Sequence, residues 1–255
     1  MGRIAETSPR FKARTAGFFW LMTFLTGGFA MFVGGRFVVP GDAVATAANI
    51  LAHEPSFRLG VASNLIATAC YLAATLLAYA LLKPVNRNLS LLAAFFSIVG
   101  CAVGAFTLLF QLAFLLVLGG AQYLSAFTVE QLQALAFMFL RLYEQASIIA
   151  FAFFGLHCLL VGSLILGSTF LPRIVGALMV CAGLGWLTYS FSNLLSPPLA
   201  RYLTPYIMAP GMLGEASLTL WLLVMGVNVQ RWNEQASAAG DWRSRRAVHA
   251  DSIAR

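Results

Sequence analysis

The sequence predicts an all-α fold, a bundle of six transmembrane helices, from its composition and its apolar stretches. About 60% of the residues are hydrophobic and 10% are charged, whereas soluble domains carry roughly 25% charged residues. Six stretches approach or exceed the roughly 20 apolar residues that cross the hydrocarbon core. They are too long and continuous for barrel strands, so each is predicted to be a helix. The stretches are residues 16–35, 59–82, 89–118, 146–166, 174–193 and 208–229.

Most connections between the stretches are short, so residues 16–229 are predicted to form one transmembrane domain. Residues 1–15 precede it, and residues 230–255 follow as a basic tail that we expect to be solvated and disordered. The first stretch has the basic start of a signal peptide. It exceeds the roughly 7–15 apolar residues of such a peptide, however, and the sequence around Gly34 is a poor cleavage site. We interpret it as a retained helix.

The distribution of lysine and arginine predicts that both termini are cytoplasmic, because cytoplasmic loops carry an excess of these residues. Eleven fall on one side and three, Arg36, Arg58 and Arg201, on the other; Arg141 and Arg255 are left out of this count. The net charge of +7 is therefore mainly a topology signal and does not indicate nucleic-acid binding. The eleven are Arg3, Arg10, Lys12, Arg14, Lys83, Arg87, Arg173, Arg231, Arg243, Arg245 and Arg246.

The first and third connections contain local helix signals. Asp42 is expected to cap a short helix over residues 43–52 at the outer surface, and Pro55 to end it. Thr128 and Gln131 have capping-box spacing. A helix from there to Leu166 would be about 55 Å long, longer than a core of roughly 30 Å. We expect it to project from the membrane, tilt or break.

Small residues and cysteines are expected to serve helix packing. Small residues spaced by four let helices approach closely in lipid, so Gly100 and Gly104 are predicted to face a neighbouring helix. The same holds for Ala177, Cys181 and Gly185. Cysteines inside predicted helices are interpreted as packing residues rather than redox or metal sites. They are Cys70, Cys101, Cys158 and Cys181.

Polar residues from five stretches are predicted to share one layer near the outer boundary, about 20 residues from the cytoplasmic cations. Ionisable groups in a membrane usually face the bundle interior or a water-filled cavity. The layer is therefore either the wall of an outward-facing cavity or a hydrated set of residues that sets helix register. Its members are Asn64, Gln111, Arg141, Glu144, Asn193 and Glu215.

Glu215 is the main candidate, because it falls about five residues deeper than that boundary. We expect it to face the interior with Arg141 as its cation, although Arg141 can instead pair with Glu144, three residues along the helix. In an open cavity without a cation, Glu215 would point to a proton, an ion or a cationic ligand.

His157 is predicted near the middle of the bilayer, next to Cys158 and at the depth of Cys181. Metal sites need three or four ligands and no second intramembrane histidine is present, so no metal is predicted. We interpret His157 as a neutral, hydrogen-bonded residue and keep it as a candidate ligand contact. Catalytic and phosphate-binding motifs are absent from the sequence, so no catalytic residue or cofactor is predicted.

Four sequence blocks carry a family resemblance. They are VPGDA with ATAANI from Val39, LKPVNRNL with LLAAFF from Leu82, FFGLHCL from Phe153 and FLPRIVG from Phe170. Together they resemble the family catalogued as domain of unknown function 4386, over roughly residues 13–229. The resemblance implies a multi-pass protein of the bacterial cytoplasmic (inner) membrane and implies no activity. His157 lies within a block, and Glu215 lies outside all four.

Three functional hypotheses remain open from the sequence. The first is a protein that binds or moves a small molecule, lipid or ion through an outward-facing polar cavity. The second is a structural, sensor or partner subunit in which the polar layer only sets helix packing. The third is an intramembrane enzyme, which no sequence motif supports. The lipid bilayer is the expected partner in each case, and the oligomeric state is left open.

Overall fold

The computed structural model describes residues 8–240, which form an all-helical bundle. Six of its helices are long and apolar enough to cross a membrane, which confirms the predicted fold class. A 3-10 turn, Gln122–Leu124, lies between the third and fourth of these. The helices are α1 (Pro9–Phe37), α2 (Ala43–Ala52), α3 (Glu54–Leu82), α4 (Arg87–Leu118), α5 (Val129–Leu166), α6 (Arg173–Leu195) and α7 (Pro197–Val224), followed by α8, residues 229–240.

The six long helices pack as a closed ring in chain order, from α1 through α3, α4, α5 and α6 to α7, which returns to α1. Residues on the inward sides of all six helices therefore meet at the centre. Successive long helices run in opposite directions, so α1 begins and α7 ends on the same face. We call it the basic face, and the other the distal face. The basic face carries Arg10, Lys12, Arg14, Lys83, Arg87, Arg173 and Arg231.

The distal ends of the helices carry a second small core. Helix α5 has 38 residues and is about 57 Å long at 1.5 Å per residue. It does not break, and its distal end packs against α2 beyond the length that a bilayer core needs. As predicted, Asp42 accepts a hydrogen bond from the Ala45 amide at 2.9 Å to cap α2, and Thr128 and Gln131 form the capping box of α5.

Helix α7 differs from its predicted range of 208–229. It begins at Pro197 and includes Pro205 and Pro210. Proline removes one intrahelical hydrogen bond, but such positions are tolerated within membrane helices. The helix ends at Val224 because Gly226 adopts the left-handed region, with φ 71°. Its amide donates back to the Trp221 carbonyl at 3.0 Å.

Residues 229–240 are helical, where the sequence predicted a disordered tail. Side chains of this helix anchor it because they form hydrogen bonds with backbone groups at the end of α3 and in the α5–α6 turn. Trp232 Nε1 donates to the Leu81 carbonyl at 2.9 Å, at the end of α3. Gln235 Oε1 accepts from the Thr169 amide at 3.0 Å, in the α5–α6 turn. The predicted tail cations Arg243, Arg245 and Arg246 lie outside the described residues.

The small-residue prediction is partly wrong. A Cβ at Gly100 would lie 3.1 Å from the Phe154 ring of α5, so Gly100 does face a neighbouring helix. A Cβ at Gly104 would meet nothing within 4 Å. In α6, Ala177 and Cys181 are exposed. Of the predicted row only Gly185 lies against another backbone, where an added Cβ would lie 3.0 Å from the Ile207 carbonyl oxygen. The packed side of α6 is set instead by glycines spaced by seven.

These glycines bring α5 and α6 into backbone contact. A Cβ at Gly162 would lie 2.7 Å from the Val180 amide nitrogen and 2.8 Å from the Gly176 carbonyl oxygen. One at Gly183 would lie 2.7 Å from the Gly155 carbonyl oxygen. A spacing of seven is close to two helical turns, so Gly155 with Gly162 and Gly176 with Gly183 each form one flat strip. The two strips face each other and hold α6 tightly on α5.

Gly104→Ala should not destabilise the protein, in contrast to the expectation from its four-residue spacing. The added methyl group would enter open space, and alanine is the better helix former by about 0.8–1 kcal/mol. Thermal unfolding in detergent should show an equal or higher melting temperature than the wild type. A clear decrease would mean that this position is packed.

Candidate functional site

Glu215 of α7 is an ionisable residue in the interior of the ring, and side chains from two other helices contact it. Trp186 Nε1 of α6 donates to Glu215 Oε1 at 2.7 Å. Cys158 Sγ of α5 lies 3.5 Å from the same oxygen. Trp186 and Cys158 are buried and Glu215 is partly buried. The carboxyl group therefore joins three helices through neutral donors.

Aromatic rings connect this carboxyl group to the rest of the bundle. Tyr71 of α3 lies in the neighbourhood of Glu215 and Cys158. Its ring lies 4.9 Å from that of Phe154. Phe151 in turn stacks on Trp186 at 4.8 Å. We call the whole set the central cluster, which consists of Trp20, Tyr71, Phe151, Phe154, Cys158, Trp186, Tyr189 and Glu215.

The expected pairing of Arg141 with Glu215 is wrong. Arg141 Nη1 donates to Glu144 Oε2 at 2.7 Å, and both side chains are largely exposed, by 61% and 43%. Arg141 precedes Cys158, the α5 residue that meets Glu215, by 17 residues. That separation is about 26 Å along the helix, more than an arginine side chain can span. Within residues 8–240, Glu215 forms no ion pair.

Glu215 also lies deeper than predicted. It precedes the end of α7 at Val224 by nine residues, or about 14 Å, which is close to the middle of a core of roughly 30 Å. The prediction measured its depth from Gln230, whereas α7 ends six residues earlier, at Val224. Glu215 is therefore a mid-bundle residue, not one at the distal boundary.

The other members of the predicted layer do not converge on Glu215. Asn64 Nδ2 donates to the Tyr143 hydroxyl at 3.3 Å. Asn193 Nδ2 donates to the Tyr189 carbonyl of its own helix at 2.8 Å. Gln111 is buried, and its Oε1 has no partner within the described part of the chain. These residues belong to separate local contacts rather than to one cavity wall.

His157 bridges two helices, as the sequence analysis expected of it. Its Nδ1 lies 2.8 Å from the Ala93 carbonyl of α4, so this nitrogen is the donor, because a carbonyl only accepts. The side chain is 1% exposed, and its Nε2 has no partner within residues 8–240. It borders a cavity of about 10 Å³, the size of a single water molecule. No group of three metal-binding side chains occurs in the described chain.

The sequence analysis missed Trp186 and Tyr71. Buried tryptophan and tyrosine side chains need a partner for their N–H and O–H groups, and in membrane proteins both residues concentrate at the interfaces. A tryptophan and a tyrosine predicted deep within two spans were therefore the available signal. They indicate polar partners at the same depth, and for Trp186 that partner is Glu215.

Comparison with known proteins identifies the family. The model for the family described as "Domain of unknown function (DUF4386)" matches residues 15–226. A protein of Archaeoglobus fulgidus described as uncharacterized is 29% identical over 151 residues, which cover 58% of this chain and 72% of that protein. No solved structure matches. The family match includes the whole central cluster from Trp20 to Glu215, and this multi-pass membrane protein therefore belongs to the family DUF4386.

Proposed function

We propose that this protein binds a small lipophilic organic cation at Glu215. The observation that carries the proposal is a mid-bundle carboxyl group with neutral partners and no ion pair within the described chain. Carboxyl groups at this depth are costly and usually functional. The neighbouring rings of Trp186 and Tyr71 suit the same ligand, because aromatic faces attract cations and bury their apolar groups.

Access to Glu215 would come from the distal half of α7. Pro205 and Pro210 lie within ten residues on its distal side, and prolines are the usual sites of helix bending. Gly211 packs against Trp186 so closely that a Cβ there would lie 2.7 Å from the indole ring. A bend at this point would lift α7 from Trp186 and open a route from the distal face to the carboxyl group. This retains the expected access from the outer side, but at greater depth.

A structural role for the central cluster is the second candidate. Two observations favour it. Glu215 borders neither the cavity at His157 nor a second cavity, at the basic face, that is lined by Arg10 and Arg231. In addition, Glu215 Oε1 already has two partners. In that case the protein would be a sensor, a scaffold or a partner subunit. Its carboxyl group would serve only to join α5, α6 and α7.

Binding of tetraphenylphosphonium to the full-length protein in lipid nanodiscs separates the two candidates. Cation binding predicts saturable binding by the wild type. Glu215→Gln should weaken it at least about tenfold, because the charge partner is lost. Triphenylphosphine oxide, which has similar rings and no net charge, should not compete. Glu144→Gln is the matched control, because it removes an exposed carboxylate of the distal face and should leave binding unchanged. Undetectable binding, or equal binding to Glu215→Gln, would support the structural role.

We further propose that both termini lie in the cytoplasm and that the membrane is a bacterial inner membrane. Seven described cations lie at the basic face, and four, Arg36, Arg58, Arg141 and Arg201, lie toward the distal face. Cytoplasmic loops carry the larger number.

Cysteine labelling tests this orientation in a background without the native cysteines. Single cysteines are placed at Ser125, in the distal α4–α5 connection, and at Ser237, in α8. An impermeant thiol reagent should label Ser125→Cys in intact cells and Ser237→Cys only after permeabilisation. The reverse pattern would invert the orientation.

A further inference from the structure

A second cavity is separate from the central cluster, none of whose residues lines it. It is a cleft of about 560 Å³ that opens at the basic face. The start of α1, the α5–α6 turn, the end of α7 and the start of α8 form its walls. The four chain segments meet here because α8 folds back onto the bundle. The Asn228 amide donates to the Phe170 carbonyl at 3.3 Å, and Arg231 Nη1 donates to the Thr169 carbonyl at 3.3 Å.

The polar side of this cleft is positively charged. Arg10 and Arg231 both line it, and its lining includes no aspartate or glutamate. Neither arginine forms an ion pair within residues 8–240. Glu234 lies one turn further along α8, but it accepts a hydrogen bond from Gln230 at 3.0 Å. Arg231 uses one N–H group to donate to the Thr169 carbonyl. A guanidinium group has five N–H donors, so others remain for an anion.

Apolar side chains also line the cleft. Phe170, Leu171, Trp221 and Met225 contribute to it. The cleft also lies where α7 leaves the predicted membrane span, since the helix ends at Val224. An open site at this depth would be within reach of both lipid headgroups and acyl chains. The lining of the cleft contains both charged and apolar side chains.

A single glycine permits this arrangement. Gly226 has φ 71°, which only glycine adopts without strain. A Cβ at this residue would lie 3.2 Å from Cγ of Arg10. The stem of Arg10 therefore packs over the turn that ends α7. Arg14 Nη2 donates to the Val224 carbonyl at 3.2 Å and fixes α1 beside the same turn.

We propose that this cleft binds the headgroup phosphate of an anionic phospholipid. Arg10 and Arg231 would donate to the phosphate oxygens, which are favourable partners for guanidinium groups. The acyl chains would lie along Trp221 and Met225. This site is independent of Glu215, because it uses other residues at another depth. If the lipid instead bound only to the tail arginines Arg243, Arg245 and Arg246, the cleft would not be needed.

Lipid-dependent stability of the full-length protein tests the proposal. The purified protein is heated in detergent with added phosphatidylglycerol, with phosphatidylcholine or with inorganic phosphate. A ligand that binds the folded state raises the melting temperature, and at a given concentration a tighter ligand raises it more. We expect phosphatidylglycerol to raise it and phosphatidylcholine not to. The double variant Arg10→Gln, Arg231→Gln should bind phosphatidylglycerol at least about tenfold more weakly, since two charged hydrogen-bond donors are lost.

Two further variants keep the result interpretable. Arg36→Gln and Arg201→Gln together remove the same charge from the distal end of the bundle and should retain the full shift. If the double variant does not fold, Arg10→Gln alone serves, because the Arg10 side chain makes no hydrogen bond or ion pair within residues 8–240. An unchanged shift in the arginine variants would overturn the proposal. So would an equal shift with phosphatidylcholine, or with inorganic phosphate, which would indicate a site for a soluble anion.

Discussion

Gly183→Ala is expected to be among the most destabilising single substitutions in this protein. Its methyl group would lie 2.7 Å from the Gly155 carbonyl oxygen and 2.7 Å from the Leu159 amide nitrogen. Both contacts are backbone atoms of α5, so no side-chain rotation relieves them. The helices must separate, and overpacking of this kind costs about 1–3 kcal/mol. In a membrane this loss of packing lowers stability directly, because close packing is a main force that holds helices together.

Thermal unfolding in detergent measures this effect. Gly183→Ala should lower the melting temperature and Gly104→Ala should not, although both replace a glycine of a long helix. The local difference is the space around the added carbon: at Gly104 it would meet nothing within 4 Å, whereas at Gly183 its nearest atoms would lie 2.6 and 2.7 Å away. Gly162→Ala should behave like Gly183→Ala, since its added carbon would meet the Val180 amide nitrogen. Equal melting temperatures for Gly183→Ala and Gly104→Ala would show that α5 and α6 are not in close contact.

Local signals in the sequence predicted local structure well. Asp42 and Thr128 cap helices by hydrogen bonds to residues three positions away, so their effect depends on neighbouring sequence alone. The six spans follow from apolar length in the same way. Helix α7 begins at Pro197 and continues through Pro205, whereas the predicted apolar stretch began only at residue 208. In water a proline inside a helix is a strong break, whereas the surroundings in a membrane bundle can compensate it.

The inward sides of the helices could not be predicted from periodicity. In lipid the outer side of a helix is as apolar as the inner side, so the amphipathic pattern that orients a soluble helix is missing. Gly104 and Gly183 look alike in the sequence, yet one is open and the other is in backbone contact. Glu215 was identifiable because an intramembrane carboxyl group is unusual. Its partner was not, because a tryptophan deep within α6 indicates a polar partner but does not say which one.

Trp186→Phe should destabilise the protein through Glu215, and a double-mutant cycle can show that it does. The substitution removes the indole N–H that lies 2.7 Å from Glu215 Oε1 and keeps a ring stacked on Phe151. That oxygen would be left with the thiol of Cys158, which is a weak donor. Leaving a buried acceptor poorly satisfied costs about 1–3 kcal/mol, whereas replacing both partners by apolar groups is nearly neutral. Trp186→Phe should therefore cost clearly less when Glu215 is already methionine, and the difference in the free energy of unfolding should be about 0.5–3 kcal/mol. An equal cost of Trp186→Phe in the wild type and in Glu215→Met would mean that the indole acts only by packing and that the carboxyl group is free of it.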